Sequence, residues 1–187
     1  NMALKENDLI MCTVKKIDGT TVFVDSDENG PGAIVFSEIA AGRIRNIREY
    51  VNPGKKIVCK VLKIQTDHLE LSLRRVTGTE MEEIQERYKN QKSFESIIKA
   101  TTKDYQKILT EIKKEHEIWE FYELVKENSD LIKKYVNSQE FEAISKTLQE
   151  KRDKEKTVKE IVTLKTNSEN GLEDIKEILK EKDQHII

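Results

Sequence analysis

The side chains in this chain that could ligate a metal, attack a carbonyl or carry a proton are its three histidines, two cysteines and 35 carboxylates. His68, His116 and His185 lie far apart, and none has a partner at zinc-ligand spacing. No phosphate-cradling glycine loop, dinucleotide fingerprint or nucleophile elbow is present. The acids fall on helical stretches with lysines one turn away, as in Glu111 with Lys114 or Glu117 near Lys113. That pattern belongs to solvated ion pairs. Cys12 and Cys59 lie inside apolar, strand-like runs with no CxxC spacing, so small buried thiols are expected, a disulfide or metal site being the alternative. The expectation is a protein without catalytic, cofactor or metal chemistry.

What remains is charge. The net charge is −2, so any anion-binding surface must be local. Between Arg43 and Lys63 there are seven cations (Arg43, Arg45, Arg48, Lys55, Lys56, Lys60, Lys63) against the single acid Glu49. Lys15 and Lys16 stand in an earlier run, and Arg74 and Arg75 follow a later one. Long cationic side chains held on one side of a rigid scaffold meet phosphates, each neutralised phosphate releasing counterions. Lysines and arginines that merely solubilise a small domain are the competing explanation. Stacking aromatics are scarce: only Phe23 and Phe36 are candidates, and strand alternation can turn one inward. A backbone-reading, shape-dependent RNA contact fits better than sequence-specific single-strand readout.

Residues 1–76 must provide that scaffold. Short β-branched and apolar runs recur at 10–14, 20–24, 33–36, 57–64 and 68–72. Turn formers separate them: Asp18-Gly19, Asn29-Gly30-Pro31-Gly32, Asn52-Pro53-Gly54 and Thr66-Asp67. Five short strands with a longer, helix-flavoured insertion (Ser37 to Tyr50) after the third predict a closed barrel of OB-fold type, since closure removes the sheet edges.

From Thr77 the period changes. Thr79 with Glu82 is the expected capping box, followed by apolar residues at helical spacing through Val125 and a further helix over Gln139 to Lys151. Near Lys156 it changes again: Thr157 to Leu164 reads as a strand, 167–171 as a turn, and Leu172, Ile175, Ile178 and Leu179 as a helical stripe. The predicted fold class is thus multidomain, β then α: a barrel over 1–78, a helical bundle over 79–154, and the incomplete beginning of a small α/β domain over 155–187. No run approaches the length of apolar residues a membrane span requires, and no signal sequence is read at the start, so a cytoplasmic location is expected.

These residues carry a resemblance. Ile34-Val35-Phe36-Ser37-Glu38-Ile39, Arg43-Ile44-Arg45-Asn46-Ile47 and Val51-Asn52-Pro53-Gly54-Lys55 resemble the S1-type barrel of the alpha subunit of translation initiation factor 2. The exit His68-Leu69-Glu70-Leu71-Ser72-Leu73-Arg74-Arg75, followed by Ile84-Gln85-Glu86-Arg87-Tyr88-Lys89, is similar to archaeal members above all. The segment from Val162 to Lys176 resembles the start of that family's third domain. The resemblance implies an adaptor in a heterotrimer with beta and gamma subunits. There the GTP-binding gamma subunit delivers initiator methionyl-tRNA to the small ribosomal subunit, the third alpha domain docks on gamma, and the barrel contacts RNA. It also implies that Ala40 occupies the position of the serine phosphorylated in eukaryotic members, so that switch is missing. The kinase-recruiting hairpin is replaced by Gln65-Thr66-Asp67-His68. A decoy of that kinase and a generic S1-type RNA-binding protein are the alternatives.

Overall fold

The computed structural model describes residues 3–166. Five strands, β1 (Leu9–Asp18), β2 (Thr21–Ser26), β3 (Gly30–Val35), β4 (Lys56–Ile64) and β5 (Leu69–Ser72), close into a barrel in the order β1-β2-β3-β5-β4. All pairings are antiparallel except β3 with β5. The predicted strands all form, the first three with ends displaced by one to four residues and the last two by a single residue at the start. Alternation explains the core: Ile10, Cys12, Val14, Val22, Val24, Ile34, Ile57, Cys59, Val61, Leu69 and Leu71 point inward and are buried. Both thiols are free and lie inside this core. Gly32 is required by close packing, because a Cβ there would stand 2.6 Å from Leu71 Cδ1. Gly54, at φ +85°, completes the turn after Pro53 in a conformation other residues rarely adopt.

Helices follow: α1 (Gly78–Thr101), α2 (Tyr105–Glu115), α3 (Ile118–Glu127) and α4 (Ser138–Thr166). The capping box sits two residues before the predicted one. Glu80 N–H donates to Thr77 Oγ1 at 3.2 Å, and Thr77 N–H donates back to the Glu80 carboxylate at 3.3 Å. Asn137 and Glu140 form the same reciprocal pair ahead of α4. Of the two predicted helical ion pairs, Glu111–Lys114 forms at 2.6 Å, whereas Lys113 reaches Glu28 rather than Glu117.

The chain divides into two compact units, one comprising the described part of Asn1–Ser96 with Leu109–Glu123, the other Ile97–Ile108 with the described part of Leu124–Ile187. In the first, Phe94 is fully buried, its ring 5.8 Å from Phe121 edge-on and 5.4 Å from Tyr122. In the second, Ile98, Val125, Ile132, Ile144 and Leu148 are buried.

One expectation fails. Residues 157–164 are not a strand: α4 continues through them to Thr166. A lone strand leaves its backbone donors and acceptors unpaired, whereas a helix satisfies them within the segment. The β-branched residues that suggested a strand are accommodated, with Thr157, Thr163 and Thr166 hydroxyls donating to carbonyls one turn back at 2.8–2.9 Å. The predicted turn at 167–171 and the stripe from Leu172 to Leu179 lie outside the described residues. Among the described residues no helix is long and apolar enough to cross a membrane.

Candidate nucleic-acid interface

The segment joining β3 to β4, read from sequence as helix-flavoured over Ser37 to Tyr50, contains two short 3-10 turns, Phe36–Glu38 and Ile47–Glu49. It is pinned along its length. Ile39 and Val51 are buried, and Ala40, Ile44 and Ile47 pack partly against the barrel core. Asn46 caps the second turn by accepting from Arg48 N–H at 3.1 Å, and Asn52 Nδ2 donates to Arg48 O at 2.9 Å. Two backbone bonds, Gly54 N–H to Val14 O (2.8 Å) and Val14 N–H to Lys55 O (2.9 Å), tie its far end to β1. With the apolar side chains turned inward, Arg43, Arg45 and Arg48 stand exposed, and none of the three makes an ion pair among the described residues.

The other sequence-predicted cations divide into groups. Lys55 joins the loop cluster, exposed, with Nζ donating to Tyr50 O at 3.2 Å. Lys15 and Lys16 sit where β1 bulges after Val14, next in chain to the residue that bonds the Lys55 backbone. Lys16 Nζ lies over the Phe23 ring at 5.1 Å. Phe23 points out and is 37% exposed, whereas Phe36 is half-buried against the core; of the two aromatics only Phe23 presents a ring to solvent.

Lys56 and Lys60 are not brought to that cluster. They lie on the outer side of β4, where α1 packs. Lys60 pairs with Glu80 at 3.3 Å, while Lys56 donates to Thr13 Oγ1 at 2.8 Å and sits over the Tyr88 ring. These two cations contact α1 at its first and third turns.

Arg74 and Arg75 are engaged differently, by a residue the sequence reading did not single out. The Glu38 carboxylate, 12% exposed, accepts from Ser72 Oγ at 2.6 Å, Arg75 Nε at 3.0 Å and Arg75 Nη2 at 2.8 Å, with Arg74 Nε at 3.5 Å. Its backbone carbonyl also accepts the Leu73 and Arg74 N–H groups at 2.9 and 3.0 Å. The Arg75 hydrogen bonds above all, with Ser72 and the two positive charges, outweigh burial and hold the Glu38 carboxyl at about 2, against an ordinary 4.5. One carboxylate therefore bolts the start of the cationic loop to the exit of β5 and neutralises much of the arginine pair's charge. In the sequence the only sign is a carboxylate between apolar Phe36 and Ile39 with no cation one helical turn away. Its partners lie more than thirty positions on.

A five-stranded OB-type barrel carrying an exposed cationic loop, followed by helices, defines the class of protein by its architecture. No protein-family model matches the chain. It is 32% identical over 111 residues to the translation initiation factor 2 alpha subunit of Methanopyrus kandleri, a match covering 57% of this chain and 42% of that protein. The same subunit of Archaeoglobus fulgidus is 27% identical over 190 residues, covering 94% of this chain and 71% of the relative. Among solved structures, the intact alpha subunit of aIF2 from Pyrococcus abyssi superposes with a TM-score of 0.66 at 24% identity, over 78% of this chain and 61% of that one. An alpha subunit from Pyrococcus horikoshii, crystallised in a complex with aDim2p and rRNA, gives 0.64 at 23%, over 80% and 97%. These two share the fold, an OB barrel followed by helices. The chain is a relative of the alpha subunits of archaeal translation initiation factor 2. Its match to the Methanopyrus subunit spans less than half of that protein's length.

Proposed function

We propose that this protein acts as a non-catalytic, RNA-contacting adaptor in translation initiation. Its barrel meets the phosphates of a folded RNA through Arg43, Arg45, Arg48 and Lys55, flanked by Lys15, Lys16 and the Phe23 ring. The observation that carries this reading is three exposed arginines, without ion-pair partners among the described residues, on a loop that the barrel holds at both ends. Cations spent on Glu38, Glu80 or Tyr88 have less to offer a phosphate, so Arg74, Arg75, Lys56 and Lys60 are secondary in this role. The Pyrococcus horikoshii neighbour, crystallised with rRNA, supports RNA as the partner class.

In this reading the chain joins a GTP-binding gamma subunit and, through it, a beta subunit, and the assembly brings initiator methionyl-tRNA to the small ribosomal subunit in the cytoplasm. The division into a barrel to residue 78 and helices after it belongs to the same proposal, with the gamma-docking domain placed after the end of α4 at Thr166 and not at 155. Ala40, half-buried and lacking a hydroxyl, leaves no phosphate acceptor at that point of the loop.

The test is tRNA binding by fluorescence anisotropy over a salt series, with Arg43, Arg45 and Arg48 each replaced by glutamate. Loss of three phosphate contacts lowers the slope of log affinity against log salt by roughly two to three. Binding and slope equal to those of the parent chain would remove this surface as the contact.

A further inference from the structure

We infer that Glu38 is the positioning residue of the cationic loop, presenting Arg43, Arg45 and Arg48 to RNA in one arrangement while touching no RNA itself. This rests on the reading above that the loop is the RNA contact. The geometry is that of a bolt. Glu38 is the last residue of the short turn that leaves β3, five residues before Arg43. Its side chain accepts from Ser72 and Arg75 at 2.6–3.0 Å, and its carbonyl accepts two N–H groups of the chain leaving β5. The loop thus departs from a point held by charge-assisted bonds, and those are the stronger class. Beyond that point its anchors are apolar contacts of Ile39, Ile44, Ile47 and Val51, the Asn46 and Asn52 side-chain bonds and, at the far end, the backbone bonds of Gly54 and Lys55 to Val14. Flexible cationic side chains on a wandering loop would have to be ordered on binding, and a pre-set backbone removes part of that cost.

A carboxylate that offsets half the charge of an arginine pair would ordinarily be expected to weaken an RNA surface. Here its loss should weaken binding, because Arg43, Arg45 and Arg48 lose their common frame. That opposition of sign separates positioning from simple charge.

Two measurements on the full chain test it, using Glu38→Gln and, as a milder variant that removes a single donor, Ser72→Ala. Amide hydrogen exchange across residues 40–50, relative to β1 and β2 amides, should accelerate about tenfold in Glu38→Gln and less in Ser72→Ala. The tRNA dissociation constant at low salt should rise about tenfold in Glu38→Gln. It should change less than twofold when the same substitution is made in the chain already carrying R43E, R45E and R48E. Unchanged loop exchange in both variants overturns the positioning role whatever the RNA does. Equal weakening in both backgrounds, or tighter binding by Glu38→Gln, also overturns it. Accelerated exchange together with tRNA binding that ignores the triple replacement leaves Glu38 as a loop bolt but refutes the RNA reading above. Should Glu38→Gln fail to fold, Ser72→Ala carries both measurements by itself.

Discussion

Replacing Glu38 by glutamine keeps the shape and the hydroxyl partner but deletes the charge that Arg75 and Arg74 face. The carboxyl titrates at about 2 in the folded chain against an ordinary 4.5. That gap corresponds to about 3 kcal/mol of preference for the ionised folded form. The arginine side chains are 51% and 41% exposed, so water screens part of the attraction, and about 2 kcal/mol is the expected loss in Glu38→Gln near neutral pH. Because the folded value is depressed, the stabilisation is complete above 4.5 and fades as pH falls through the folded value of about 2. At about pH 3 roughly half of it remains, and by about pH 2 little does, so the stabilities of parent and variant should converge there. Urea unfolding followed on the NMR signals of barrel methyls such as Val22 and Ile34 reads this at each pH. A variant as stable as the parent at neutral pH refutes the reasoning. So does a difference that persists undiminished in acid, because the loss would then come from packing and not from charge.

Gly32→Ala should destabilise the barrel by about 1–3 kcal/mol in the same assay, because its Cβ would collide with Leu71 Cδ1 and crowd Val24 Cγ2 at 3.2 Å. Phe94→Ala removes a fully buried ring set between Phe121 and Tyr122 and should cost about 3–5 kcal/mol in the unit that contains it, measured by urea unfolding on the Trp119 signal. Cys12 and Cys59 should be inert to a chromogenic disulfide reagent at mildly alkaline pH and both should react once the chain is unfolded. A hydrogen bond to Cys12 that favours the protonated thiol, then burial, pushes the Cys59 thiol well above its ordinary range, so the reactive thiolate is withheld in the folded barrel.

The strands were readable in the sequence because half-buried strands alternate, and β-branched residues bounded by Asp-Gly or Asn-Pro-Gly leave little else for those segments to do. The helices were readable for the same reason at a different period. The capping box fell two residues from its predicted place because Thr77 and Thr79 offer the same hydroxyl, and only the packed chain decides which one sits beside a carboxylate one turn on. The strand expected over 157–164 shows where local preference runs out: Val158, Ile161 and Val162 suit either structure, and the absence of a partner strand among the described residues decided for the helix.

The sequence by itself determined that the chain's cations crowd into the segment after the third strand, since residue type and local spacing carry that information. The tertiary structure decided which of those cations are paired among the described residues. Arg75 meets Glu38 across 37 positions, Lys60 meets Glu80 across 20, and Lys56 meets Thr13 across 43. Charge composition is a sum over residues, but the field a surface presents is what remains after folding has paired some of those charges. That pairing depends on strand order and register, which no local window contains.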